Sequence, residues 1–226
     1  MYQACIFDLD GTLANTLGSI AEFSNRALHD CGYPEIPVDR YRHIVGNGAS
    51  VQVQRMMHIV CPQGFTEAEM QKVRRLYDQY YAAEPLKGIV GYPGMPQLLA
   101  SLRRLNKKSG VLSNKPDSWA QSIIAGLFPD GTFNAVHGQR EGIPCKPAPQ
   151  GALLLAQELG TAPRNCLYIG DTNTDMQTGA AAGMDTVGVL WGFRDRAELG
   201  NAHANYIVSD PAQILDILRR GLPAPA

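Results

Sequence analysis

Residues 4–13 read ACIFDLDGTL, and this segment points to the architecture of the rest of the chain. Its apolar start is typical of a buried parallel strand, and the acids that follow mark the point where the strand opens into a loop. Asp8 and Asp10 stand two apart, so in an extended chain their side chains face the same way. Two carboxylates this close repel each other, which means that one must bind a proton or both must meet a cation.

The sequence outside this segment divides into a helical part and an alternating part. Apolar spacing predicts helices throughout residues 17–83, with Thr66 as the N-cap of the last and longest of them. Further along, short apolar strands alternate with helices of about 10 to 15 residues, which is typical of βαβ units and a parallel sheet. We therefore predict an α/β domain formed by residues 1–14 and 85–226, interrupted by a smaller helical domain at residues 15–84.

Composition excludes several classes of protein. With 45% hydrophobic and 18% charged residues, the 226-residue chain fits a folded globular protein rather than a disordered one. Lys and Arg number 20 against 21 Asp and Glu, a net charge of −1, so nucleic acid is not an expected partner. Neither a membrane-spanning apolar run nor a signal-peptide pattern is found, and we expect no membrane association. Five scattered cysteines predict a reducing, cytoplasmic location, and the Pro-rich residues 222–226 are expected to be loose.

Polar residues suited to phosphate or a metal ion occur where several predicted strands end. They are Asp8 and Asp10, the run Ser113-Asn114-Lys115, Lys146, and the pair Asp171 and Asp175. Ligands of an open parallel sheet bind outside the carboxyl ends of its strands, so we expect these groups to meet. The four acids predict an oxygen-rich Mg²⁺ site, and Asp171 and Asp175, at i and i+4, are expected to share a helix face. Ser113 and Lys146 supply a hydroxyl donor and a positive charge for phosphate oxygens.

Taken one at a time, these groups have simpler interpretations. An isolated Asp-x-Asp is more often a solvated loop, Ser113 with Asn114 fits a helix N-cap, and Asp171 is able to cap the helix that follows it. A single lysine such as Lys146 usually lies at the surface. The joint pattern, in which the groups gather at strand ends on one predicted edge, favours a shared site.

The same motifs resemble those of the haloacid dehalogenase-like (HAD) hydrolases. The segments that carry the likeness are DLDGTL at residues 8–13, SNK at 113–115, KP at 146–147 and GDTNTD at 170–175. The likeness covers the whole chain and implies a Rossmann-like, doubly wound parallel sheet with an inserted all-helical cap domain. The insertion resembles the cap of the phosphoglycolate phosphatase and β-phosphoglucomutase branch. Within it, HIVGNG at residues 43–48 resembles the substrate loop of phosphoglycolate phosphatases.

The resemblance also implies catalytic roles. Asp8 would attack phosphorus to give an aspartyl-phosphate. Asp10 would act as general acid toward the leaving alkoxide and then as general base for water. Ser113 and Lys146 would hold the phosphoryl group during both steps.

The metal site follows from the same resemblance. Asp171 would bind Mg²⁺ together with Asp8 and the backbone carbonyl of Asp10, and Asp175 would hold the metal's waters or orient Lys146. A haloacid dehalogenase of this fold would need neither the second acid nor the metal. The presence of Asp10 therefore favours phosphate chemistry.

Substrate contacts are predicted on both sides of the site. The assigned residues are Thr12, Ser113, Asn114 and Lys146 at the core edge, with Arg42, Gly46 and Asn47 in the helical domain. The glycines around Asn47 let backbone N–H groups approach a small carboxylate, although such a turn also serves simply to join two helices. Tyr77, Tyr80 and Tyr81 follow helical spacing and are expected to pack inside the helical domain.

Three functional hypotheses follow. The first is a Mg²⁺-dependent phosphatase for a small phosphorylated acid, with 2-phosphoglycolate as the preferred substrate. The second keeps the site but changes the reaction to that of a phosphosugar mutase, and other small phosphate esters also stay open as substrates. The third, a non-catalytic binding module, predicts loss of a site residue, whereas all four motifs look intact. The sequence leaves open whether the protein is a monomer or a homodimer.

Overall fold

The computed structural model describes residues 1–220, so the tail predicted to be loose, residues 222–226, lies outside the described part. The strands are β1 (Ala4–Phe7), β2 (Ala14–Asn15), β3 (Val90–Gly91), β4 (Lys108–Pro116), β5 (Ala135–Gln139), β6 (Cys166–Gly170), β7 (Asp185–Val189) and β8 (Tyr206–Val208). The α-helices are α1 (Leu17–Asp30), α2 (Tyr41–Ile44), α3 (Ala49–Val60), α4 (Glu67–Ala83), α5 (Met95–Arg104), α6 (Asp117–Leu127), α7 (Gln150–Glu158), α8 (Asn173–Ala181), α9 (Arg196–Asn201) and α10 (Ala212–Arg220).

The main sheet has six parallel strands in the order β5-β4-β1-β6-β7-β8. Strand β1 lies between β4 and β6, and its last residue, Phe7, is in register with Val111 on one side and Ile169 on the other. The carboxyl ends of these three strands therefore come together at one edge. This arrangement confirms the predicted α/β class with a doubly wound parallel sheet.

Strand β1 is buried on both faces, which is why its sequence is apolar throughout rather than alternating. Cys5 and Phe7 belong to the larger buried cluster, which also contains residues of α5 and α10. Ala4 and Ile6 point the other way, into a second cluster that contains residues of α7. Helices thus cover the sheet on both sides, and Cys5 packs in the core.

Helices α1 to α4, here called the helical insertion, leave and re-enter the sheet domain at one place. Strand β2 pairs antiparallel with β3, so the residues just before the insertion lie beside those just after it. The sequence did not predict this ribbon, because each of its strands has only two residues. The division into residues 15–84 and the rest stays a proposal.

The predicted helix boundaries agree best with the structure where a capping residue marks the start of the helix. Helix α4 begins at Glu67 after the N-cap Thr66, whose side chain accepts from the backbone N–H of Glu69 in a capping box. The stretch predicted as helical throughout is instead broken by loops between the four helices. Helix α9 was not predicted at all, because its few apolar residues carry no clear period.

Two further observations concern the helices and the cysteines. Within residues 1–220, no helix combines the length and the apolar character required to cross a bilayer. The five cysteines are all free thiols, of which Cys5 and Cys166 are buried.

Candidate active site

Three buried carboxylates meet at the carboxyl edge of the sheet. Asp8 follows β1, Asp171 follows β6, and Asp175 lies in the first turn of α8. One oxygen from each lies within 4.8 Å of the oxygens of the other two. The strand order explains the meeting, because β1 and β6 are neighbours and end level with each other.

The prediction that Asp171 and Asp175 share a helix face is wrong in its geometry. Asp171 precedes the helix, whose N-cap is Thr172. Asp175 reaches back toward Asp171 because it belongs to a capping box: its Oδ2 accepts from the backbone N–H of Thr172 at 3.1 Å and from the Thr172 hydroxyl at 2.7 Å. The two acids still meet, because the capping box folds the later one back over the start of the helix.

Asp171 is held in a close-fitting backbone cradle. Its Oδ2 accepts from the backbone N–H of Phe193 at 2.7 Å, and its Oδ1 accepts from the Thr12 hydroxyl at 3.2 Å. A Cβ atom at Gly11 or at Gly192 would overlap the Asp171 side chain. Thr12, predicted to bind substrate, is fully buried and uses its hydroxyl to hold Asp171.

Lys146 links two of the three acids. Its Nζ lies 2.7 Å from Asp8 Oδ1 and 2.7 Å from Asp175 Oδ1, and only 3% of its side chain is exposed. It is therefore not a surface lysine. Burial alone would lower the pKa of Lys146, but Asp175 and Asp8 outweigh burial and hold that pKa well above its usual range. The ammonium stays protonated and is the direct cationic partner of Asp8.

The positive charge of Lys146 does not fully compensate the three clustered carboxylates. Burial and then the nearby Asp175 raise the pKa of Asp8 well above its usual range, against the lowering effect of Lys146. Burial and Asp175 likewise raise the pKa of Asp171 to about 7. One lysine therefore does not balance three carboxylates at neutral pH. A hard, oxygen-binding cation such as Mg²⁺ fits this donor set.

Asp10 lies outside this carboxylate cluster. Its Oδ1 lies 3.2 Å from Lys115 Nζ, but no residue of 1–220 gives that oxygen a directed hydrogen bond. The Asp10 side chain is thus not among the three clustered carboxylates. Its assignment as a metal ligand through the backbone carbonyl stays a prediction.

A small cavity of about 40 Å³ opens beside Asp8 and Asp10, a space on the scale of a few water molecules. The sheet domain lines it with Asp8, Asp10, Ser113, Asn114, Lys115, Pro116, Trp119 and Lys146. The helical insertion lines it with Ile20, Val45, Gly46, Gly48, Ala49, Gln52 and Tyr77. Both parts of the chain therefore contribute to one site.

Asn114 connects the loop between α2 and α3, residues 45–48, to the core of the site. Its amide nitrogen donates to the carbonyls of Gly46 at 3.2 Å and Lys146 at 3.1 Å, and its Oδ1 accepts from the backbone N–H of Lys146 at 2.8 Å. These three contacts occupy the amide that was predicted to bind substrate. Asn114 sets the relative position of the loop and Lys146.

The other loop residues predicted to bind substrate have different partners. Gly46 lines the cavity, and its role in binding substrate stays a prediction. Asn47 turns away from it and donates to the Thr174 hydroxyl at 3.0 Å. Arg42 donates to the carbonyl of Gly192 at 3.1 Å and also lies outside the cavity lining. These two side chains tie the helical insertion to the sheet domain.

The sequence interpretation missed an aromatic and cationic group at the cavity. Tyr77 lines the cavity, although it was expected only to pack the helical insertion. Tyr81 stacks on Trp119 with ring centroids 4.6 Å apart, and Lys115 Nζ lies 4.4 Å from the centre of the Tyr81 ring. The available signal was the position of Lys115 directly after Ser113 and Asn114. Its aromatic partners come from a helix distant in sequence.

Comparison with known proteins identifies the family of the chain. The haloacid dehalogenase-like hydrolase family matches residues 5–189. A phosphoglycolate phosphatase of Haemophilus influenzae is 30% identical over 215 residues, 94% of this chain and 96% of the relative. One of Yersinia pestis is 28% identical over 218 residues, 96% of this chain and 93% of the relative. The crystal structure of a predicted phosphoglycolate phosphatase from Haemophilus somnus has a TM-score of 0.89 at 29% identity, over 96% of this chain and 98% of that one. The chain is an enzyme that belongs to the haloacid dehalogenase-like hydrolases, in their phosphoglycolate phosphatase-like branch.

Proposed function

We propose that this protein is a Mg²⁺-dependent phosphatase that hydrolyses a small phosphorylated acid, with 2-phosphoglycolate as the first substrate to test. The observation that carries the proposal is the arrangement of Asp8 and Asp10 in one small cavity with Ser113 and Lys146. Cleavage of a phosphate ester requires a nucleophile, a proton donor and compensation of the phosphoryl charge. These residues supply all three.

Asp8 is the proposed nucleophile. Its carboxylate attacks phosphorus, the P–O bond to the leaving group breaks, and Asp10 gives a proton to the departing alkoxide. Asp10 then takes a proton from water as that water attacks the acyl phosphate, which returns Asp8 and releases phosphate. Lys146, 2.7 Å from Asp8, holds the nucleophile in place, and Ser113 offers a hydroxyl to the phosphoryl oxygens.

The residues that would hold Mg²⁺ are Asp8, Asp171 and the backbone carbonyl of Asp10. Both oxygens of Asp175 already have protein partners, Lys146 on one and Thr172 on the other. Asp175 therefore fits better as the residue that orients Lys146 and the metal's waters. Bound Mg²⁺ would offset the charge of the phosphoryl oxygens as Asp8 approaches them.

Cavity size supports a small leaving group. The space beside Asp8 and Asp10 is about 40 Å³, bounded by the 45–48 loop and by Tyr77 of the helical insertion. A sugar bisphosphate, as a mutase requires, is a larger ligand than the ester of a short acid, so the narrow space beside Asp8 and Asp10 favours the smaller substrate. Several relatives similar over nearly their whole length are phosphoglycolate phosphatases. We also propose that the binding partner is a free small-molecule phosphate ester and that the protein is located in the cytoplasm.

The test is release of inorganic phosphate from a panel of small esters, with and without Mg²⁺. The panel contains 2-phosphoglycolate, p-nitrophenyl phosphate and hexose phosphates. We expect steady turnover that needs the metal, and a loss of at least about 10³-fold in kcat in the Asp8→Asn variant. Transfer of phosphate between hexose phosphates without net release would favour the mutase instead. Unchanged turnover in Asp8→Asn would contradict the covalent mechanism.

A further inference from the structure

Lys115 is a buried cation in the cavity to which the proposed mechanism gives no role. It is 6% exposed and lies on β4, two residues after Ser113. Burying an ammonium group is costly unless opposite charge or hydrogen-bonding partners compensate for the loss of water. The partners of Lys115 therefore indicate what the site is built to hold.

The protein compensates Lys115 only in part. Asp10 Oδ1 lies 3.2 Å from Lys115 Nζ, without a directed hydrogen bond to that oxygen from residues 1–220. The face of Tyr81 lies 4.4 Å from the same nitrogen. An ammonium group has three N–H donors, so a single loose ion pair and one ring face leave capacity for another acceptor.

Lys115 differs in this respect from Lys146. The Nζ of Lys146 contacts two carboxylates at 2.7 Å each, so its charge is committed to the nucleophile and its neighbour. A second anionic group on the substrate would enter a cavity that already holds Asp8 and Asp10. Lys115 is the cation of the cavity lining that remains to meet that group.

The wall contributed by the helical insertion is suited to the same anion. Helix α3 begins at Ala49 after the N-cap Gly48, and both residues line the cavity. The backbone N–H groups of its first turn lack intrahelical partners and favour negative charge, and no side chain of the described residues caps them at Gly48. Lys115 and the start of α3 thus line the same space.

We propose that Lys115 is the specificity residue that binds a carboxylate on the leaving group of the substrate. This inference rests on the proposed function, because it assigns the part of the ester that is not transferred. Lys115 also contacts Asp10, so the carboxylate it binds lies next to the group that protonates the leaving oxygen. The substrate class is then a short phosphate ester of a hydroxy acid.

The test compares two ligands that differ only in the proposed contact. They are 2-phosphoglycolate and 2-hydroxyethyl phosphate, in which a neutral hydroxymethyl group replaces the carboxylate. Their dissociation constants are measured calorimetrically with Mg²⁺ on the Asp8→Asn background, where neither is consumed. We expect 2-phosphoglycolate to bind more tightly. The Lys115→Met substitution should reduce this preference by about 10- to 100-fold, and Lys115→Arg should retain most of it.

A matched control is available on the same strand. Lys108 is exposed at the start of β4, and Lys108→Met should leave the preference unchanged. An equal loss for both ligands in Lys115→Met would show that Lys115 acts only through Asp10 or the fold, and would overturn the proposal. If Lys115→Met does not fold, the same measurement is made on Lys115→Arg and on the protein with Lys115 in place. If these proteins bind the two ligands equally tightly, the proposal is overturned.

The outcomes separate this inference from the proposed function. One outcome is that Lys115 is required for tighter binding of the carboxylate ligand, while the unsubstituted protein turns over no ester. That outcome would contradict the phosphatase assignment and support the Lys115 site. The opposite outcome is turnover of an ester with equal dissociation constants for 2-phosphoglycolate and 2-hydroxyethyl phosphate. That outcome would support the phosphatase assignment and contradict the Lys115 site.

Discussion

The raised pKa of the buried Asp171 can be measured through its effect on the stability of the metal-free protein. Burial, and then Asp175, raise its pKa in the folded protein from an ordinary 3.8 to about 7. The folded state therefore binds this proton more tightly than the unfolded chain does. Without metal, the stabilising contribution is complete below about pH 4 and is lost as pH rises through about 7, with a slope of at most ~1.4 kcal/mol per pH unit.

Urea unfolding in the presence of a chelator, repeated across this pH range, measures the effect. The Asp171→Asn variant should show a flatter dependence of unfolding free energy on pH, because it cannot take up the proton. Added Mg²⁺ should stabilise the unsubstituted protein most at the alkaline end. Identical slopes for the two proteins would show that Asp171 is not the titrating group.

Gly11 tests the backbone cradle around the same aspartate. Its φ is +85°, and a Cβ atom there would overlap Asp171. Gly142, with φ +77° and open space around it, is a matched control that suffers the same conformational strain without the overlap. We expect Gly11→Ala to need about tenfold or more Mg²⁺ to reach the same rise in melting temperature, and Gly142→Ala to need no more than the unsubstituted protein. Equal Mg²⁺ requirements would contradict the role of the cradle.

The sequence predicted which residues belong to the site more readily than it predicted which of them contact each other. The sequence singled out Asp8, Asp10, Lys146 and Asp171, because a strand end followed by acids or lysine is a local pattern. It did not predict that Thr12 would hold Asp171, since their contact joins residues far apart in the chain. Such pairings depend on strand order, which local patterns leave undetermined.

Helix α4 offers a test at the level of a single element. Its exposed capping box joins Thr66 and Glu69, and the Glu69 carboxylate accepts from the Thr66 backbone N–H at 2.7 Å. We expect Thr66→Ala to lower the free energy of unfolding by about 1 kcal/mol, because the first turn loses a partner for an orphan N–H. Chemical denaturation measures this. The exposed Gln63→Ala should change stability by less than about 0.5 kcal/mol, and an equal loss there would exclude a capping effect.

Element boundaries were predictable where the chain carries a chemical signal. Thr66 before two glutamates marked the start of α4 correctly. Strand β4 runs on to Pro116 although Ser113 looked like its end, because polar side chains interrupt the apolar run while the backbone stays extended. Its pairing with β5 becomes irregular between Leu112 and Pro116, where the site residues lie. Sequence pattern shows where apolar burial stops, and the strand itself continues into the site.

The whole molecule is held closed over the cavity by polar contacts between the helical insertion and the sheet domain. Asn47 donates to Thr174, and Arg194 donates to the carbonyl of Val45 at 3.1 Å. We expect Asn47→Ala to raise KM for the phosphate ester roughly three- to tenfold with a smaller effect on kcat, because the closed arrangement loses one hydrogen bond. Steady-state kinetics measure the split, with the exposed Asn201→Ala as control. A fall in kcat with KM unchanged would place Asn47 in the chemistry instead.

Closure of the helical insertion over the sheet edge was the part of the architecture least accessible from sequence. The four core motifs predicted the sheet edge, since each is local to one strand end. Tyr77 and Tyr81 looked like helix packing, because spacing shows that they share a face and not what that face meets. Only the fold shows that this face meets Lys115 and Trp119. The cavity is therefore a property of the assembled molecule.

In the proposed mechanism, the phosphoryl group passes through Asp8. Borohydride reduces an acyl phosphate to an alcohol, so quenching turnover of 2-phosphoglycolate with it should convert Asp8 to homoserine, detectable by peptide mass spectrometry. We predict this change at residue 8 only, dependent on substrate and Mg²⁺, and absent from Asp8→Asn. An active enzyme with residue 8 unmodified, or with the label on another carboxylate, would contradict the account.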